Sequence, residues 1–232
     1  MPSSRTANRI LSQLPAADRA AVIGAGAMIS FQVGETLAPP DEPIHWVYFV
    51  ESGVISAVAE MSDGRTIETF MVGCEGLSGA AAAQAPAITH SRHVCQVAGK
   101  ARRLEAERLR GLVEARPVLR RAIADYAAAL QAELEQSGAC NALHSPSRRF
   151  AKWLLRCHDR VGGEVVQLTQ EYLASMLGAQ RTTVNEAAQA LQRAGAIRYS
   201  RGRVQIVDRG ALEAAACECY RGLNLPSLKS PG

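Results

Sequence analysis

Two arginines separated by one glycine, Arg201-Gly202-Arg203, lie between Ile197-Arg198-Tyr199 and Val204-Gln205-Ile206, and the chemistry open to such a pair is anion capture. The flanking runs read as short strands. The tripeptide is therefore expected at the tip of a hairpin that presents two guanidinium forks, a geometry suited to phosphate. Just ahead, Val184, Ala187, Ala188 and Leu191 recur at i, i+3, i+4 and i+7, while Thr182, Glu186, Gln189 and Arg193 gather on the opposite side. That spacing predicts an amphipathic helix whose polar face is free to enter a groove.

Thiols and imidazoles form a second group of reactive side chains. The six cysteines, Cys74, Cys95, Cys140, Cys157, Cys217 and Cys219, show no disulfide-framework spacing, so they are expected to be reduced, buried and structural in a cytoplasmic protein. Cys140 and His144 are four apart and could share one helical face as a ligand pair. Cys217 and Cys219 are two apart, so on a helix they diverge by about 200° and cannot jointly hold one ion without unwinding. No metal site is expected on this reading. His45 is isolated, and His90 and His93 would point to opposite faces of a strand, which argues against a metal-dependent cupin. Without a Gly-rich phosphate loop, a zinc-protease helix or a nucleophile elbow, the chain is not expected to be an enzyme.

Several elements must position these groups. Thr169 is the expected N-cap of a helix whose Leu173, Met176 and Leu177 form one apolar face, and Gly178 supplies the turn into the amphipathic helix. Helix, turn, helix and basic hairpin in that order suit a DNA reader. Upstream, helices are expected from about Arg5 to Leu14 and after Pro15. From Met28 to about Leu104 the chain turns β-rich, with strands at Ile44–Val50, Val54–Met61, Thr66–Val72 and His93–Val97 and a tight hairpin at Ser62-Asp63-Gly64-Arg65. Short strands at this spacing suggest a sandwich or jelly roll. The Ala/Gly-rich stretch from Gly73 to Ala87 is either a short helix or a loop. From Glu105 to about Gly138 the period is helical, and Leu119, Ile123, Tyr126, Leu130 and Leu134 form a seam of coiled-coil type, favoured here as a dimer contact. Ser145 and Pro146 open the next helix, anchored by Phe150, Trp153 and Leu154.

Charge separates the two halves. With 232 residues, 47% of them hydrophobic, the chain can build two cores. Residues 1–144 hold 13 Lys/Arg against 15 Asp/Glu, a balance of −2, and residues 145–232 hold 13 against 7, a balance of +6. The basic half coincides with the helix-turn-helix, as phosphate contact requires. The apolar run Ala20–Ile29 is interrupted by two glycines and preceded by Asp18, so neither a secretory leader nor a membrane span is expected.

A jelly roll, a long helix and a winged helix-turn-helix in that order resemble the Crp-Fnr family of bacterial transcription regulators. The likeness is carried by Thr169, Gly178 and Arg181-Thr182-Thr183-Val184 in the reading head, and by the strings VYFVESGVISAV, VGCEGLSG and ALEAAACECY. It implies an α+β chain with an N-terminal jelly-roll domain of cyclic-nucleotide-binding type over residues 1–104, a dimerisation helix over 105–140, a winged helix-turn-helix over 141–222 and a flexible tail over 223–232. It also implies a homodimer on double-stranded DNA, with RNA polymerase as a further partner. Arg181 would read a guanine, and Thr182 and Glu186 would occupy the other base-facing positions, with Thr183 and Asn185 beside them. Thr169, Gln170, Arg201 and Arg203 would hold phosphates. Thr182 and Glu186 depart from the best-known member, so a different operator is expected. A dimeric signalling adaptor whose wing binds protein is the alternative.

The effector stays open at this point. Cyclic-nucleotide-binding members hold the ribose with a Gly-Glu-Leu acid and the phosphate with an Arg-Ser or Arg-Thr pair; here Gly73-Cys74-Glu75-Gly76-Leu77 displaces the acid, and Ser91-Arg92 offers the candidate clamp. A cyclic phosphate without its arginine would leave a buried charge unpaired, so a cyclic nucleotide is possible but not favoured. An iron–sulfur cluster is not expected, because the first cysteine is Cys74.

Overall fold

A computed structural model describes residues 6–161, 165–167, 170–200 and 203–222 of the chain. They divide into two compact units, one holding the residues up to Ala57 with Met71–Gln131, the other holding Val58–Phe70 with the residues from Ala132 on.

The first unit opens with α1 (Arg9–Gln13) and α2 (Ala16–Ala25). Asn8 caps α1: its side chain accepts from Leu11 N and its amide donates to the Val50 and Gly76 carbonyls, which ties the helix to the sheet behind it. The strands that follow are β1 (Ala27–Phe31), β2 (Thr36–Ala38), β3 (Glu42–Pro43), β4 (Trp46–Glu60), β5 (Thr66–Val72), β6 (Leu77–Ser78), β7 (Ile88–Thr89) and β8 (Arg92–Glu105). The main sheet runs β1-β8-β4-β5, with β2 on β8 and β6 on β4, and β3 pairs β7 separately. The expected jelly-roll domain is therefore an antiparallel assembly centred on two long strands.

The strands expected at Ile44–Val50 and Val54–Met61 are one strand, β4, which passes through Gly53 without ending. Gly53 sits at φ +80°, and a Cβ there would come within 2.5 Å of the Val97 carbonyl. Glycine thus lets β4 bend while staying pressed against β8, so it does not punctuate the strand. The Asp63-Gly64 hairpin forms as expected, with Gly64 at φ +82° and Met61 N donating to Arg65 O at 2.8 Å. The Gly73–Ala87 stretch is a turn, then β6, then one 3-10 turn at Ala80–Ala83.

The single helix expected from Glu105 is two: α3 (Ala106–Ala115) and α4 (Pro117–Leu143). Proline disfavours helical backbone at the residue before it, and Arg116 is extended at φ −131°, ψ 95°. The residues of the expected seam on α4 differ in burial. Leu119, Ile123 and Tyr126 are buried in the core of their own unit with Leu11, Phe49, Leu77 and Leu109, and Leu130 packs at its edge, while Leu134 is exposed. Leu119, Ile123 and Tyr126 thus serve the core of their own unit. Ala127, Ala128 and Gln131 are among the residues of α4 that are exposed.

The second unit is built on α5 (Pro146–Val161), followed by β9 (Val165–Gln167), α6 (Gln170–Leu177), α7 (Arg181–Arg193), β10 (Ile197–Ser200), β11 (Arg203–Ile206), α8 (Arg209–Ala215) and α9 (Cys219–Gly222). Phe150, Trp153 and Leu154 are buried, as their spacing predicts. Glu133 is buried with Arg156 and Arg160, at 2.5 and 3.4 Å, so each charge removed from water faces an opposite one.

Candidate nucleic-acid interface

Helices α6 and α7 meet through the apolar faces that the sequence marks: Leu173, Met176 and Leu177 on one, Val184, Ala187, Ala188 and Leu191 on the other, all buried. Gly178 turns the chain between them at φ +55°, a conformation that disfavours any side chain. A Cβ there would also lie 2.9 Å from Ile67 on β5. The hairpin β4–β5 backs this turn further, since Thr66 hydrogen-bonds Ser175 of α6, and Glu68 accepts from the Trp153 indole at 2.8 Å. No periodicity foretold these contacts, because they join residues more than eighty positions apart.

The opposite face of α7 is open. Arg181, Thr182, Glu186, Gln189 and Arg193 are exposed, with Thr183 and Asn185 half-buried beside them. Strand β11 pairs with both β10 and β9, giving a three-stranded wing. The wing is held to α7 through Tyr199 N, which donates to the Gln192 side chain at 2.8 Å. Arg203 is exposed at the start of β11, and Arg198 is exposed on β10. Arg181 and the wing cations thus stand on one supporting framework. Thr169, Arg201 and the tail 223–232 lie outside the described residues, as does the Gln170 side chain.

The residues expected around an effector all fall in the first unit. Glu75 is buried, accepts from the Gly73 backbone at 3.0 Å and lines an open cleft of about 590 Å³ with Arg9, Gln13, Arg121, Asp125 and Tyr126. Ser91 and Arg92 do not line that cleft. Gly76 is occupied otherwise, because a Cβ on it would overlap the Tyr126 ring at 2.5–2.6 Å. Its small size admits the Tyr126 ring of α4. Inside the β-domain, His93 is buried between Ser78 Oγ at 2.8 Å and Thr89 Oγ1 at 3.4 Å, and burial holds its pKa down at about 4.

The cysteines require a further correction. Cys217 and Cys219 do not share a helix, because α8 ends at Ala215 and α9 starts at Cys219. The helix has already ended at Ala216, extended at ψ 160° just ahead of Cys217, and Glu218 is in a turn, so the 200° divergence of a continuous helix does not apply. Both sulfurs reach Cys140 and His144, and the four candidate ligand atoms lie within 4.8 Å of one another. Burial pushes the Cys140 thiol up, but its hydrogen bond with His144 and the nearby Lys152 ammonium outweigh that and bring its pKa down to about 7.

A helix-turn-helix followed by a three-stranded wing defines the class: a winged helix-turn-helix domain carried behind a β-domain. Residues 148–215 match the Crp-like helix-turn-helix domain, and the chain has the fold of the Crp/Fnr transcription regulators. The structure of FixK2 from Bradyrhizobium japonicum superposes with a TM-score of 0.68 at 18% identity, over 83% of this chain and 98% of that one. The c-di-GMP-responsive global regulator CLP of Xanthomonas campestris superposes with a TM-score of 0.69 at 16% identity, over 84% of this chain and 100% of that one. A CRP-family transcriptional regulator from Thermus thermophilus gives a TM-score of 0.67 at 23% identity, over 81% and 96%. No curated protein sequence matches the chain. Among the described residues no helix is long and apolar enough to cross a membrane.

Proposed function

We propose that the protein is a sequence-specific DNA-binding transcription regulator that acts as a homodimer on a two-fold operator. The observation that carries this reading is the open polar face of α7, with Arg181, Thr182 and Glu186 exposed next to a wing whose Arg198 and Arg203 are exposed as well. Arg181 suits a bidentate contact to guanine O6 and N7, Glu186 can accept from a cytosine N4–H, and Thr182 can touch a thymine methyl. The wing arginines hold phosphates and fix register.

Two heads are brought to half-sites about 34 Å apart by pairing of the outward residues of α4, Ala127, Ala128 and Gln131. Small residues there allow close helix approach, and the buried Leu119–Tyr126 stripe is left to the core. Selection of binding sites from random duplexes by the purified protein tests the reading. A palindromic consensus supports it, and recovery of no consensus refutes it. Salt separates it from a protein-binding adaptor. Two phosphate contacts in each of two heads give a log–log salt slope of about −3.6, so a fourfold rise in salt weakens DNA binding roughly a hundredfold.

A further inference from the structure

The geometry points to a site for a single soft divalent cation of the zinc class, held by Cys140, His144, Cys217 and Cys219 where the α8–α9 segment meets the end of α4. The four residues come from two stretches more than seventy positions apart, and their ligand atoms all lie within 4.8 Å of one another. A tetrahedral zinc ion bonds sulfur at about 2.3 Å and nitrogen at about 2.0–2.1 Å, which sets edges of about 3.8 Å between two sulfurs and about 3.5 Å between sulfur and nitrogen. Cys140 Sγ and Cys217 Sγ are 3.6 Å apart, and Cys219 Sγ and His144 Nδ1 are 3.5 Å apart. The donors therefore already stand near the corners that one ion requires. An iron–sulfur cluster places several metal atoms between its thiolates and spaces them more widely.

The surroundings of these donors match a metal site as well. Glu218 Oε1 lies 3.0 Å from His144 Nε2. A proton on Nε2, donated to that carboxylate, leaves the Nδ1 lone pair directed at the cluster. Gln136 Nε2 donates to Cys219 Sγ at 3.0 Å, and Lys152 Nζ donates to Cys140 Sγ at 3.2 Å. Three thiolates and a dication carry a net charge of −1, and the buried Lys152 ammonium offsets it. The three cysteines are buried and the ligand set is complete at four, the closed form of a structural site. On binding, each thiol gives its proton to solvent as its sulfur–metal bond forms, His144 donates a lone pair, and no electron changes hands. Thiolates select such an ion over magnesium or calcium.

The neighbouring contacts show what the ion fastens. Arg209, at the start of α8, bonds Asp159 at 2.8 Å and Glu213 at 2.9 Å, and hydrogen-bonds Tyr220 of α9. These bonds hold the segment to α5, and the ion adds a tie to α4.

The test uses the full-length protein, stripped by chelator under reducing conditions and titrated with cobalt(II). The expected result is one equivalent per chain, with the intense visible bands of tetrahedral cobalt and thiolate-to-cobalt charge transfer, both abolished by one equivalent of zinc. Cys217→Ser should lose most of the charge-transfer intensity, whereas Cys74→Ser should keep it. Glu218→Gln, which leaves all four ligands in place, should weaken zinc in a chelator competition by roughly 10- to 100-fold. Weak octahedral cobalt bands, a spectrum unchanged in Cys217→Ser, or a Cys140–Cys217 disulfide in the reduced preparation would each overturn the site. None of these readouts involves DNA, so the result stands apart from the fate of the DNA-binding reading.

Discussion

Tyr126 lays its ring against the bare backbone of Gly76, so α4 is fastened to the turn that joins β5 to β6 within its own unit. A Cβ at Gly76 would overlap that ring at 2.5–2.6 Å, well inside contact distance. Gly76→Ala must therefore push the ring or the turn aside. The expected cost is about 1–3 kcal/mol, the range for overpacking a tight contact, read as a lowered denaturant midpoint. An unchanged midpoint would mean that the helix and the turn separate easily.

The same packing divides α4 into a face turned to the core and an exposed face, the one proposed above to meet a second copy. Ile123 is 1% exposed, and truncation to Ala should cost about 2–5 kcal/mol of stability. Ala128→Glu lies on the outward face and should leave the fold intact while placing a charge where a second α4 would pack. Sedimentation should then show a monomer with unaltered thermal unfolding. A dimer surviving Ala128→Glu would move the two-fold contact elsewhere.

His93 gives stability a pH dependence. Burial holds its imidazole at about 4 against an ordinary 6.5. Below pH 6.5 the unfolded chain takes up a proton that the folded one refuses, so stability is lost as pH falls, by at most about 1.4 kcal/mol per unit, until about pH 4. Between pH 7 and pH 5 the loss from this group is roughly 2 kcal/mol. His93→Gln keeps a polar group opposite Ser78 and should flatten that part of the profile. Parallel profiles for the two proteins would remove the imidazole from the account.

What the sequence disclosed, and what it withheld, follows from the range of the interactions involved. The apolar faces of α6 and α7, the Asp63-Gly64 hairpin and the β10–β11 pair are local, and spacing alone locates them, whereas β9, which joins the wing from nearly forty residues upstream, carries no such mark. The Leu119–Tyr126 stripe was equally plain, but periodicity marks a face as apolar without saying what covers it. Its cover is Leu11, Phe49 and Leu77, one of them more than a hundred residues away. The thiol cluster was hidden for a different reason. Two cysteines at i, i+2 converge only if they do not share one continuous helix, and Ala216, where α8 stops ahead of both, carries no marker of that stop in a stretch rich in alanine. Ile67 behind Gly178 is a third case, a tertiary contact at a position that the local turn already explained.

Arg181 separates reading sequence from merely holding DNA. It is the first residue of α7 and exposed, with Thr182 exposed beside it and the buried Val184, Ala187 and Ala188 fixing the helix behind. A bidentate guanidinium–guanine pair is worth about 1–3 kcal/mol of discrimination. Arg181→Ala should therefore lose roughly 10- to 100-fold in affinity for the selected operator and accept other base pairs at one position of each half-site. Binding to random DNA should change far less, because phosphate contacts from the wing supply most of that affinity. Arg203→Ala should do the reverse, weakening operator and random DNA alike and shallowing the salt slope by about one per contact removed. Titrating both variants against both duplexes at two salt concentrations gives the comparison. Equal losses for Arg181→Ala on operator and random DNA would make that side chain another phosphate anchor and leave base recognition to Thr182 and Glu186.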